Sequence, residues 1–200
     1  MRTVLCTLLI CFVATATIAL SQEKPKEPEK AAAPSTQGNP FIAYNKGIYR
    51  GVKGILLRSA EKMPEENYKF KPTDSVRSFG QVLGHVADSQ YAFCSRVLGE
   101  KNPELKIEQT KTSKADLIAA LKEAFAYCDK AHDGMTDETA VQMVKLFGGD
   151  TPKIGVLNVN SVHTVEHYGN LVTYMRMKDI IPPTSEPEFQ PGAKKTQPKE

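Results

Sequence analysis

No stretch of this 200-residue chain alternates polar and apolar residues for long enough to make a β-strand, which argues against a sheet-based architecture and leaves helices to build the core. Basic residues lack a pattern too. Lysine is denser in the two end segments than between them, and no basic stripe stands beside an aromatic platform, so nucleic acid is not an expected partner. Histidine and cysteine are scarce at four each, and Cys6 and Cys11 fall inside the one long uncharged apolar run. No cysteine stands at the end of that run, so a lipid anchor there is not expected.

That run, Val4 to Leu20, follows Arg2 and ends at Ala19-Leu-Ser21. It reads as a secretory signal peptide over residues 1–21, cleaved after Ser21 or, as second choice, after Ala16. It is short for a bilayer span, and the polar segment behind it has no stop-transfer character. The expected destination is a periplasm or the extracellular medium, with no stable membrane anchor after cleavage. Only Arg2 of the 26 Lys and Arg precedes Gln22, leaving 25 against 23 Asp and Glu, a near-neutral mature chain. Cys94 and Cys128 survive processing in a compartment that permits disulfides; they either pair or serve as small buried apolar residues.

Residues 22–38 are rich in Lys, Glu, Pro and Ala and read as a disordered linker, and a Pro-rich disordered tail is expected over 183–200. Between them, residues 39–182 suffice for one domain. Four helices are predicted. The first opens at Asn39-Pro40 and runs to about Met63, with Ile48, Val52, Ile55 and Ser59 as its stripe. The second opens at the capping-box pattern Ser78-Phe-Gly-Gln81, carries Val82, Val86, Phe93 and Val97, and ends at Gly99. The third opens at Ser113, buries Leu117, Leu121, Ala124, Phe125 and Cys128, and stops before Gly134. The fourth runs from near Pro152 to about Met177. The polar stretch Glu100 to Thr112 is long enough to cross the end of a bundle, so the expected fold is an all-α, crossover four-helix bundle.

On the fourth helix, Asn160, His163, His167, Asn170 and Tyr174 recur every three or four residues, making one face polar, while Leu157, Val165, Val172 and Met175 are left for packing. His163 and His167 stand at i, i+4, the spacing at which two imidazoles share one ion, and His85 on the second helix supplies a third. Asp88, Ser89, Asn160, Asn170 and Tyr174 are candidates for orienting the imidazoles or holding a substrate. His132, at the end of the third helix, is expected to meet exposed carbonyls and the helix dipole instead. His163-Thr-Val-Glu-His167 also fits the pattern of inverted zinc peptidases. However, no folded segment downstream offers the third ligand, and Glu166 points about 100° away from His167 on an ideal helix.

Val76-Arg-Ser-Phe-Gly-Gln-Val-Leu-Gly-His-Val-Ala-Asp88 together with Val162-His-Thr-Val-Glu-His-Tyr-Gly-Asn-Leu-Val-Thr-Tyr-Met-Arg176 resembles the DinB-like family, the likeness running from about Phe41 to Pro183. It implies a four-helix bundle in up-down-down-up order, with one divalent metal held by His85, His163 and His167. Ile180-Ile-Pro-Pro183 suits the family, whereas Lys178-Asp179 stands where relatives often have a Gly at the exit turn.

Three neutral imidazoles leave coordination positions open, the mark of a catalytic site, and suit Zn, Ni or Fe. The expected function is therefore an exported metal-dependent enzyme, hydrolase or thiol transferase in type, acting on a small molecule. The alternative is a non-catalytic metal- or ligand-binding module of the cell envelope. Catalytic residues beyond the metal set are not assigned, and a homodimer through a bundle face stays open.

Overall fold

The computed structural model describes residues 38–189; the expected signal peptide, the linker up to residue 37 and the tail beyond 189 lie outside the described residues. Six helices and one hairpin follow in the order α1 (Pro40–Lys62), α2 (Phe79–Leu98), α3 (Ile107–Thr110), α4 (Lys114–Asp133), α5 (Asp137–Ala140), β1 (Met143–Leu146), β2 (Gly149–Pro152) and α6 (Lys153–Arg176). The fold is mostly helical. Each of α1 and α2 packs against both α4 and α6, and α3 lies on α2. No helix among the described residues is long and apolar enough to cross a membrane.

The starts are set by local chemistry. Asn39 accepts the Phe41 N–H at 2.9 Å, with Pro40 at the first helical position. Ser78 and Gln81 exchange reciprocal cap hydrogen bonds, and the Ser113 hydroxyl accepts the Asp116 N–H at 3.1 Å. Fully buried Leu56, Phe79, Leu83, Leu121, Phe125, Leu157, Leu171 and Met175 form the shared core. Each such side chain contributes roughly 1.5–3 kcal/mol on leaving water. Cys94 and Cys128 are joined as a disulfide, with a Cα separation of 5.3 Å, and tie α2 to α4.

Several expectations need correcting. The inner face of α1 is Asn45, Tyr49, Val52, Leu56, Ser59 and Ala60; Ile48 and Ile55 are only half-buried. The helix is turned because the Tyr49 hydroxyl finds partners inside, donating toward the Phe125 carbonyl and Asp129, each at 2.9 Å. On α6 the expected packing residue Val165 is 46% exposed, whereas polar Asn160, Ser161 and Thr164 are buried. These polar groups have partners across the core: Asn160 donates to Gln90 at 2.8 Å, and Gln90 donates to Thr164 at 3.0 Å, although Asn160 Oδ1 is left without one. A polar stripe with partners can occupy the inside and leave valines out.

The β1–β2 hairpin is a second difference. Only Val144 and Leu146 point inward, too short a run for period-two alternation to be read from sequence. Its two-residue turn is Phe147-Gly148, with φ of 50° and 83°. Third, the expected tail begins as folded chain. Pro183 is buried, the Thr184 N–H donates to the Tyr168 hydroxyl at 3.1 Å, and Glu186 pairs with Arg58 and with Lys62, the latter at 2.6 Å. Fixed partners on α1 and α6 outweigh the Pro-rich composition there. At the exit of α6, Asp179 takes φ 56°, the left-handed conformation that a glycine adopts freely and Asp tolerates.

His132 is not at an exposed helix end. It is 3% exposed and stacks on Tyr49, ring centroids 3.8 Å apart. Burial pushes its pKa down to about 4, with Lys46 adding to the shift while Asp129 opposes it.

Candidate metal centre

Three histidines from two helices converge. His163 Nε2 lies 3.1 Å from His85 Nε2 and 3.1 Å from His167 Nε2, and one nitrogen from each ring falls within 4.8 Å of the others. Helical spacing stacks His163 and His167 one turn apart on α6, and the α2–α6 contact brings His85 against them. Two nitrogens bound about 2.0–2.1 Å from one ion would be about 3.0 Å apart at a right angle and about 3.4 Å apart at a tetrahedral one. The observed spacing fits, and the three histidines could hold a metal ion.

The electrostatics favour uncharged rings at His163 and His167. Burial, then the neighbouring His167, His85 and Arg77, push the His163 pKa down to about 4; burial and His85 also lower that of His167, partly opposed by Glu166 and Glu108. His163 Nδ1 is buried with no hydrogen-bond partner. A neutral donor set is what a divalent cation requires.

Outer contacts come from residues of different legibility. Glu108, unforeseen in the sequence, places Oε2 3.2 Å from His85 Nδ1 and accepts from Arg77 Nε at 2.8 Å through Oε1. Asp88 does not touch the imidazoles: its carboxylate accepts the Ile107 N–H at 2.8 Å and the Glu108 N–H at 3.0 Å, capping α3 and so locating Glu108. Asn170 Nδ2 is 3.4 Å from His167 Nδ1, while Tyr174 donates to the Arg77 carbonyl at 2.9 Å. Ser89 is half-buried and makes no hydrogen bond to the three rings. Asn160 lies instead in the core between Gln90 and the disulfide, its Nδ2 3.4 Å from Cys128 Sγ. Glu166 is exposed.

One sequence signal pointed at α3. A Cβ on Gly84 would lie 2.6 Å from Glu108 Cα and 2.9 Å from its nitrogen, so only glycine lets α3 approach the turn that carries His85. Phe93, on α2, packs its ring against His163 with centroids 5.6 Å apart. Beside His167 opens a cleft of about 570 Å³, whose walls include Lys71, Arg77, Glu108, Asn170 and Tyr174.

Fold and cluster together define a helical protein with a three-histidine centre capable of binding metal, beside an open cleft. The sequence model of the DinB superfamily matches residues 50–171, and the chain belongs to that superfamily. It is 25% identical over 127 residues to the uncharacterized protein YjoA of Bacillus subtilis (strain 168), covering 62% of this chain and 82% of that protein. Two solved structures share the fold. A DinB-like protein from Bacillus cereus ATCC 10987 matches with a TM-score of 0.61 at 16% identity, covering 69% of this chain and 95% of its own. The crystal structure of the B. subtilis DinB-like protein YjoA gives a TM-score of 0.58 at 21% identity, covering 77% and 99% respectively.

Proposed function

We propose that this chain is an exported, metal-dependent enzyme of the hydrolase or thiol-transferase type, acting on a small molecule with His85, His163 and His167 as the ligands of one divalent ion. The observation that carries the reading is the convergence of three Nε2 atoms, two pairs at 3.1 Å, with His167 of the three lining an open cleft. Imidazole ligands suit Zn, Ni or Fe. When bound, such an ion supplies Lewis acidity, polarising an electrophile or activating water or a thiol. The chain's own residues do the rest. Glu108 holds the His85 proton on Nδ1, which leaves the Nε2 lone pair free to ligate. Asn170 sits at the same ring atom of His167, its Nδ2 3.4 Å from Nδ1; with the amide turned over, its carbonyl oxygen would accept from Nδ1–H and leave that Nε2 free as well. Lys71 and Arg77 line the cleft as ion-pair partners of Asp74 and Glu108, so a polar substrate group there meets paired charges of both signs. Export is supported by the uncharged run behind Arg2 and by the Cys94–Cys128 bond, which suits an oxidising compartment.

One observation favours the second reading, a non-catalytic metal- or ligand-binding module of the envelope. Both acids on the cleft wall are engaged, Glu108 by His85 and Arg77 and Asp74 by Lys71, so neither stands free as a general base. Elemental analysis of untagged, exported residues 22–200 tests the centre. About one equivalent of metal in the wild type, lost in His85→Ala and in His163→Ala, supports it; a wild type that is metal-free and takes up neither Zn²⁺ nor Ni²⁺ overturns it. Metal-dependent turnover against esters, amides and thiol acceptors then separates enzyme from module.

A further inference from the structure

The tip of the β1–β2 hairpin carries an aromatic ring where the backbone disfavours one. Phe147 occupies the first central position of a two-residue turn at φ 50°, a position that Asn, Asp or Gly fills without strain. The ring gains little burial in return, since it is 84% exposed. Its described aromatic contact is edge-on to Phe93, centroids 6.2 Å apart, and Phe93 in turn lies 5.6 Å from the His163 ring. The two steps span less than about 12 Å, the reach of a small molecule. The hairpin feeds directly into α6, which bears His163, so the tip is held at a fixed distance from the cluster.

We propose that Phe147, backed by Phe93, which is itself buried at 7% exposure, forms an apolar subsite for an aromatic group of a ligand whose polar end sits at His85, His163 and His167. The proposal rests on the metal reading above and adds to it the class of substrate: a small metal-binding molecule with an aromatic arm. A macromolecular partner fits the tip poorly. The cross-strand pair Lys145–Asp150, at 2.9 Å, and the bare backbone of Gly148 and Gly149 lie next to the ring at the tip. A strained, exposed aromatic is a candidate contact point, and a ligand seated on the Phe147 ring would cover it.

The test uses Zn²⁺-loaded residues 22–200 titrated calorimetrically with acetohydroxamic acid and with 3-phenylpropanohydroxamic acid, two probes with the same metal-binding head. The phenyl probe is expected to bind about tenfold more tightly to the wild type, and Phe147→Asn to abolish that advantage while leaving acetohydroxamic acid binding and metal content unchanged. The thermal midpoint of Phe147→Asn is expected to be equal or higher, because Asn suits the turn. Equal affinity of the two probes in the wild type, or an advantage that survives in Phe147→Asn, overturns the subsite and leaves the metal centre standing. Failure of both probes to bind the Zn²⁺-loaded protein overturns the subsite and leaves the metal centre standing; failure of Zn²⁺ to load overturns the metal centre and the subsite with it.

Discussion

Glu108 serves two partners at once, His85 through one carboxylate oxygen and Arg77 through the other. Its negative charge strengthens His85 as a donor, so Glu108→Gln should weaken metal binding by about tenfold without removing the centre, measured by competition with a chelator. His132 has a different consequence. Its folded pKa of about 4 lies below the ordinary 6.5, so the unfolded chain binds the proton first as pH falls. Stability tied to the neutral ring is complete above pH 6.5 and is lost between there and pH 4, to a total of about 3 kcal/mol. His132→Phe keeps an aromatic on Tyr49 and should make denaturant unfolding less acid-sensitive over that window. The three clustered histidines were legible because helical spacing alone brings two of them together. Glu108 was not, because nothing in its own neighbourhood fixes where α3 comes to rest.

What fixes it is the approach of α3 to α2. Asp88 holds the first N–H groups of α3, and Gly84 gives it room. Gly84→Ala should gain about 1 kcal/mol of helix propensity yet lose more, since the methyl meets backbone atoms that must shift, for a net cost of about 1–2 kcal/mol. It should also weaken metal binding, although Gly84 touches none of the histidines; thermal denaturation and chelator competition would show both. Starts and stops of the long helices could be read from caps and glycines, as at Asn39, Ser78, Ser113 and Gly99. Faces were harder. On α6 the buried stripe includes polar Asn160, Ser161 and Thr164, hydrogen-bonded inside the bundle, so an argument from apolar residues alone sends Val165 inward when it lies outside. The hairpin escaped notice because four residues per strand give too little alternation to register.

Across the domain, the Cys94–Cys128 bond closes a span of 34 residues between α2 and α4. Chain-entropy reasoning assigns such a loop about 4 kcal/mol, so the double variant Cys94→Ala/Cys128→Ala should lose most of that in a denaturant titration, as should wild type under reducing conditions. With α2 and α4 welded, any partial opening of the oxidised protein has to separate them from α6 and from α1, which packs on it. The histidine cluster lies across that same seam, between α2 and α6. Amide hydrogen exchange should therefore report two cooperative units. The α2–α4 amides should exchange only on global unfolding, and α6 should open earlier, at a rate slowed by bound metal and quickened by a chelator. The covalent tie on one side of α2 makes the other side the gate through which an ion would leave.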